Sequence, residues 1–107
     1  MASAPDHPLM MASGSMKHVG GPKHIIPDDR TKTEIYNSHV SRVIGAFRIC
    51  VDKAGRVETY LPLRSTGFAS YDQQLVAGMS RWAFEPIVDE GKAIAVCTVV
   101  TFIYSQY

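Results

Sequence analysis

The fold class predicted for this chain is α+β: a small three-stranded antiparallel or mixed sheet packed on one face by one or two helices. Three observations predict it. Residues 43–52 alternate apolar and polar side chains, and a turn at 52–55 sends the chain back through a second β-type run. A segment of helical period then starts near Tyr71. The sequence closes in a long β-type stretch from Ile94 to Tyr107, rich in β-branched and aromatic residues and free of Pro and Gly.

Length and charge narrow the possibilities. With 107 residues, 46% of them apolar, the chain is long enough for one domain with a modest core. A formal net charge of +1 and 20% charged residues supply neither a basic face for nucleic acid nor an acidic tail. Apolar runs fall far short of the roughly 20 residues that cross a bilayer, and no charged segment followed by an apolar stretch opens the sequence. A soluble polypeptide without a membrane insertion is expected.

In chain order, residues 1–22 mix Pro, Gly, Ser, Ala and Met without any period. They are expected to be a disordered arm, or sequence foreign to the domain, with the folded domain at 23–107. His7, His18 and His24 lie in no ligand spacing and are expected to be solvated, so no metal site is predicted. Pro27-Asp28-Asp29 suits the first turn of a short helix over about Asp28 to Ser38. Phe47, Ile49 and Val51 mark the core side of the first strand, with Arg48, Cys50 and Asp52 on the other. Gly55 can take the positive φ of a tight reversal. Arg56 to Leu63 forms the partner strand, which Pro62 confines to a sheet edge or a bulge.

Ser70 and Gln73 have the spacing of a capping box, so a helix is expected from Tyr71, with Tyr71, Leu75, Met79 and Trp82 as its apolar stripe and Phe84 and Pro86 as its end. Asp89-Glu90-Gly91-Lys92 supplies the turn before the last strand. In that strand Val96, Thr98, Val100, Phe102 and Tyr104 alternate with Ala95, Cys97, Val99, Thr101 and Ile103. Nothing follows it in this sequence, so it is expected to be an edge whose free N–H and C=O groups can pair with another chain.

A helix joining two strands of one sheet by a right-handed crossover places the last strand parallel to the second, with the first between them. The first and last strands are then antiparallel neighbours, and Cys50 faces Cys97 on the helix-free side. Two thiols or a disulfide both fit that placement. Catalysis is not expected: there is no Gly-rich phosphate loop, no His-Glu-x-x-His and no Cys-x-x-Cys, and a pairing of Cys50 or Cys97 with His39 lacks a third group to orient it. No cofactor is predicted.

These residues carry a resemblance. Gly45-Ala46-Phe47-Arg48-Ile49-Cys50-Val51-Asp52, Gly55-Arg56-Val57, Ser65-Thr66-Gly67 with Tyr71-Asp72, Arg81-Trp82-Ala83-Phe84-Glu85-Pro86, Gly91 and Val100-Thr101-Phe102 together resemble the C-terminal domain of TonB-type energy transducers, over about Ile25 to Tyr104. The Trp-x-Phe-x-Pro piece is the most specific. The chain departs from the family in carrying Ile26-Pro27-Asp28-Asp29-Arg30 where Tyr-Pro-x-x-Ala is usual, and in its two cysteines.

The resemblance implies a periplasmic module of an envelope-spanning protein, anchored elsewhere by an inner-membrane helix and driven by an ExbB/ExbD-type proton-powered motor. It implies a partner segment at an outer-membrane transporter or another envelope protein, added as a strand to residues Ala95 through Tyr104. Alternatives are the same module in a gliding-motility or secretion apparatus, and a structural dimerisation domain that pairs its edge strand. Tyr104 and Tyr107 are candidates to grip a partner.

Overall fold

The alternation along the first long strand decides which side of the sheet becomes the core. Its residues alternate between half-buried and buried from Val43 to Val51, so that Val43, Phe47, Ile49 and Val51 face a helical layer. The computed structural model describes residues 9–106. The elements in order are β1 (Leu9–Met10), a 3-10 turn (Ser13–Ser15), β2 (His18–Gly20), α1 (Asp29–Asn37), β3 (Arg42–Val51), β4 (Val57–Arg64), α2 (Ala69–Met79), β5 (Ala83–Phe84), β6 (Ile87–Asp89), β7 (Lys92–Ile94) and β8 (Val96–Ser105).

The main sheet has the order β1-β8-β3-β4. The predicted three strands form its body, with β3 in the middle and antiparallel to both β4 and β8. The parallel pairing of β1 on β8 makes the sheet mixed. Ten consecutive residue pairs join β3 to β8, from Arg42↔Ser105 to Val51↔Val96, with no irregularity. Cys50 and Cys97 lie opposite each other in that register and are joined as a disulfide. The expected edge position of Pro62 also holds: among the described residues β4 has no second neighbour, and its register shifts beside Pro62.

Tight turns set the ends of the hairpins. Gly55 has φ +84°, and a Cβ there would meet the Phe84 carbonyl oxygen at 1.9 Å, so only glycine fits. Glu90 and Gly91 both have positive φ, the geometry of a two-residue hairpin turn. That turn makes residues 87–94 a hairpin of their own, β6 with β7. The last strand therefore starts at Val96 rather than Ile94, with Ala95 as the break.

The helices pack through a polar lock. The Asp28 side chain accepts from the Thr31 N–H at 2.9 Å and caps α1; this bond holds its carboxyl below the ordinary value. Thr31 is fully buried, and its hydroxyl is bonded to Ser70 Oγ at 2.8 Å and to Gln74 Nε2 at 3.0 Å, both on α2. Because Ser70 is taken by this inter-helix contact, the expected capping box does not form and α2 begins at Ala69. Asp72 instead ties down the preceding loop, accepting from the Thr66 N–H and hydroxyl and from Ser65 Oγ. The helix ends at Met79, earlier than Phe84, yet Trp82 stays in the core with Tyr71, Leu75 and Met79.

The expectation of a featureless arm over residues 1–22 fails where the chain is described. Residues 1–8, including His7, lie outside the described residues, as does Tyr107. From Leu9 onward the arm has β1, a 3-10 turn and β2, and Met16 is buried in the core. Met16 and His18 of the arm cover the aromatic surface of Trp82 and Phe84, which is apolar area removed from water. His18, expected in solvent, packs edge-on against Trp82 and Phe84 with centroids 5.4 and 5.5 Å apart.

The disulfide closes a loop of 47 residues, which stabilises the fold by about 4 kcal/mol through the entropy it removes from the unfolded chain. Reduction is expected to lower the urea midpoint accordingly. A midpoint that reductant leaves unmoved would show that the bridge contributes nothing.

Candidate functional site

The free flank of β8 is the site's backbone component. Cys97 directs its carbonyl away from β3, where it accepts the Met11 N–H at 2.9 Å. Main-chain direction alternates every residue along a strand, so Val99, Thr101, Ile103 and Ser105 send their N–H and C=O groups the same way. Among the described residues no backbone group bonds to Val99, Thr101 or Ile103 on that flank. This stretch carries no charge, no Pro and no bulge, the features with which proteins normally blunt an exposed edge. The opposite edge, β4, is blunted in that way by Glu58, Pro62 and Arg64.

Beside the free flank lies a groove of about 370 Å³, lined by Val100, Phe102 and Tyr104 of β8, by Tyr71 and Trp82 beneath, and by Lys23 to Ile26 as a facing wall. Val100, Phe102 and Tyr104 share the face of β8 that Val96 and Thr98 turn to the helical layer. Phe102 packs against Trp82 and Phe47 with centroids 5.8 and 6.1 Å apart, and Tyr104 against Tyr71 at 6.1 Å, so two aromatic groups form the floor. A strand added to β8 would turn alternate side chains into this groove.

Two hydrogen bonds hold the wall. Trp82 Nε1 donates to the Pro22 carbonyl, and Tyr71 Oη donates to the Ile25 carbonyl at 2.8 Å. Gly78 lets Ile25 come close: a Cβ at Gly78 would lie 2.4 Å from Ile25 Cδ1. Burial, and next the neighbouring Tyr104, push the Tyr71 phenol above its ordinary value. At the far end of the flank, Gln106 donates its N–H to the Ser41 carbonyl at 2.7 Å and its Nε2 to the Lys32 carbonyl at 2.8 Å, fixing where β8 stops.

Of the residues expected to bind a partner, the structure separates three sets. Val99, Thr101 and Ile103 present free main-chain groups; Val100, Phe102 and Tyr104 bond to β3 and line the groove with side chains; Ala95, Val96, Cys97 and Thr98 contribute no open flank. Ala95 is outside the strand, Val96 and Cys97 are paired with Leu9 and Met10, and the register of Thr98 against Ile49 directs its main chain inward. The expectation that one flank of the last strand is unpaired along its whole length is corrected accordingly: Leu9 and Met10 occupy its beginning. Sequence reasoning missed the Lys23 to Ile26 wall and the pairing of β1 on β8; the adjacent apolar Ile25 and Ile26 were the signal for the wall.

With this geometry in hand, the chain can be set beside known proteins. It is similar in structure to the solution NMR structure of the TonB C-terminal domain of Pseudomonas aeruginosa, with a TM-score of 0.60 and 19% sequence identity over 94% of this chain and 95% of that one. At that identity the likeness is one of fold, and it supports the resemblance read from the residues. No protein-family model matches the chain. No curated protein matches it either. Among the described residues no helix is long and apolar enough to cross a membrane.

Replacing Tyr71 by Phe is expected to leave the Ile25 carbonyl without its donor, lowering stability by about 1–2 kcal/mol in denaturant unfolding. Because the folded-state value of Tyr71 is raised, its stabilisation is complete below pH 10.0 and is lost as pH rises through the higher folded value. Tyrosinate absorbance should therefore show a late-titrating phenol that the Phe variant lacks.

Proposed function

We propose that this chain is a TonB-like module of the periplasm that binds a short segment of an outer-membrane transporter or another envelope protein by strand addition. The docking strand pairs with Val99, Thr101, Ile103 and Ser105 and turns alternate apolar side chains onto Phe102, Trp82 and Tyr71. The observation that carries this reading is the regular, uncharged, bulge-free flank of β8 beside an aromatic-floored groove. Main-chain pairing supplies affinity and the groove supplies specificity.

The proposal extends to mechanics. The docked strand would be pulled along its length, and its hydrogen bonds to β8 share that load. The strand is backed by the ten-pair ladder to β3, which the disulfide fastens at its Val96 end. An ExbB/ExbD-type proton-driven motor in the inner membrane, reached through parts of a longer protein, would supply the pull.

An extended peptide alternating Val and Thr tests the docking step by amide chemical shifts. Perturbations are expected at Val99, Thr101, Ile103 and Ser105. Thr101→Pro removes an outward N–H without touching the β3 ladder and is expected to weaken binding about tenfold. Perturbations confined to the hairpin around Gly55 or to β4 would refute the edge assignment.

A further inference from the structure

The flank of β8 is shared between an open part and a part the chain fills itself. Leu9 and Met10 lie parallel against Val96 and Cys97, and the Met11 N–H reaches the Cys97 carbonyl. Beyond Ala12 the 3-10 turn stays beside β8 near Val100 but makes no main-chain bond to it, and the unpaired part of the flank begins at Val99. A docking strand and the β1 segment therefore lie along the same line of main-chain groups. They compete wherever the incoming strand is long enough to reach Cys97.

The arm is held very unevenly on the two sides of Ala12. Upstream, β1 is two residues long and both its side chains are 50% exposed. Downstream, Met16 is 6% exposed in the core, His18 and Gly20 pair with Phe84 and Ala83, the Glu85 N–H bonds to the Lys17 carbonyl at 2.8 Å, and Trp82 holds Pro22. Releasing residues 9–11 gives up a few surface main-chain bonds, the covered halves of Leu9 and Met10, and the partly buried Met11 at the margin of the core, but no fully buried side chain. Releasing the rest would open the core.

We infer that Leu9 to Met11 is a displaceable clasp that regulates the docking edge, limiting it to strands spanning about Val99 to Ser105 until a longer strand takes its place. The inference rests on the strand-addition reading. The clasp also shields the most closely paired end of β8, beside the disulfide, from unintended pairing with other chains. In exchange, a partner that displaces it gains the outward groups of Cys97 in addition to those of the open part.

The test uses the full chain and two Val/Thr alternating peptides, one of about six residues that matches the open part of the flank and one of about ten that matches all of β8. Met11→Pro deletes the clasp's N–H donor. The expected result is that the short peptide binds both forms alike, whereas the long peptide binds Met11→Pro about tenfold more tightly than the unaltered chain. In the unaltered chain, saturation with the long peptide should also strip the Met11 amide of its protection against hydrogen exchange, with the Trp82 indole N–H still protected. Binding of the long peptide with Met11 protection intact, and with no gain from Met11→Pro, would overturn the clasp while leaving strand addition in place. Failure of both peptides to bind either form would overturn strand addition, and the clasp with it.

Discussion

The pairing of β3 with β8 is the constraint from which the rest of the architecture follows. It is the longest uninterrupted ladder in the molecule, and the Cys50–Cys97 bridge crosses it at a facing pair whose Cα atoms are 3.9 Å apart. Facing residues that approach so closely are those that do not exchange main-chain bonds, so the Cys97 N–H and C=O point away from β3. That one phase choice propagates along β8. It turns the main chain of Val99, Thr101 and Ile103 outward and the side chains of Val100, Phe102 and Tyr104 toward the helices. A slip of one residue would bury the first set of side chains and turn the aromatic ones to solvent.

The second determinant is where Trp82 sits. Just past the end of α2, it touches His18, Phe84 and Phe102 and bonds to the backbone at Pro22. One side chain therefore links the arm, the last strand and the segment after α2. This arrangement explains why the arm between Met16 and Pro22 is held against the domain and why a wall stands opposite the β8 flank. The floor of the groove is core packing extended outward, so its shape is held by the same contacts that stabilise the fold.

The two sheet edges are treated differently, and the difference is chemical. β4 carries a proline, charges of both signs and register shifts, which discourage a visiting strand. β8 carries none of these over Val99 to Ser105. Instead, among the described residues, β1 pairs with only the first two residues of β8. An edge left regular in a protein that blunts its other edge is what the proposed strand addition requires.

What the amino-acid sequence determined by itself is everything governed by local period and turn chemistry. The two-residue alternation of β3 and β8, the reversal at Gly55, the edge role of Pro62 and the helical stripe of Tyr71, Leu75 and Met79 are legible because each depends on neighbours a few residues away. Even the facing of Cys50 and Cys97 follows once strand order is set by the crossover rule. What only the tertiary structure decided depends on contacts between distant segments. Ser70 is drawn from a cap to Thr31, 39 residues away, because a buried hydroxyl must find a partner. The arm, without any period of its own, is ordered by the apolar surface at Trp82 and Phe84, and it closes part of the flank that the strand pattern alone leaves open. Local periodicity specifies which groups a strand can offer; the packing of remote chain specifies which of them remain free.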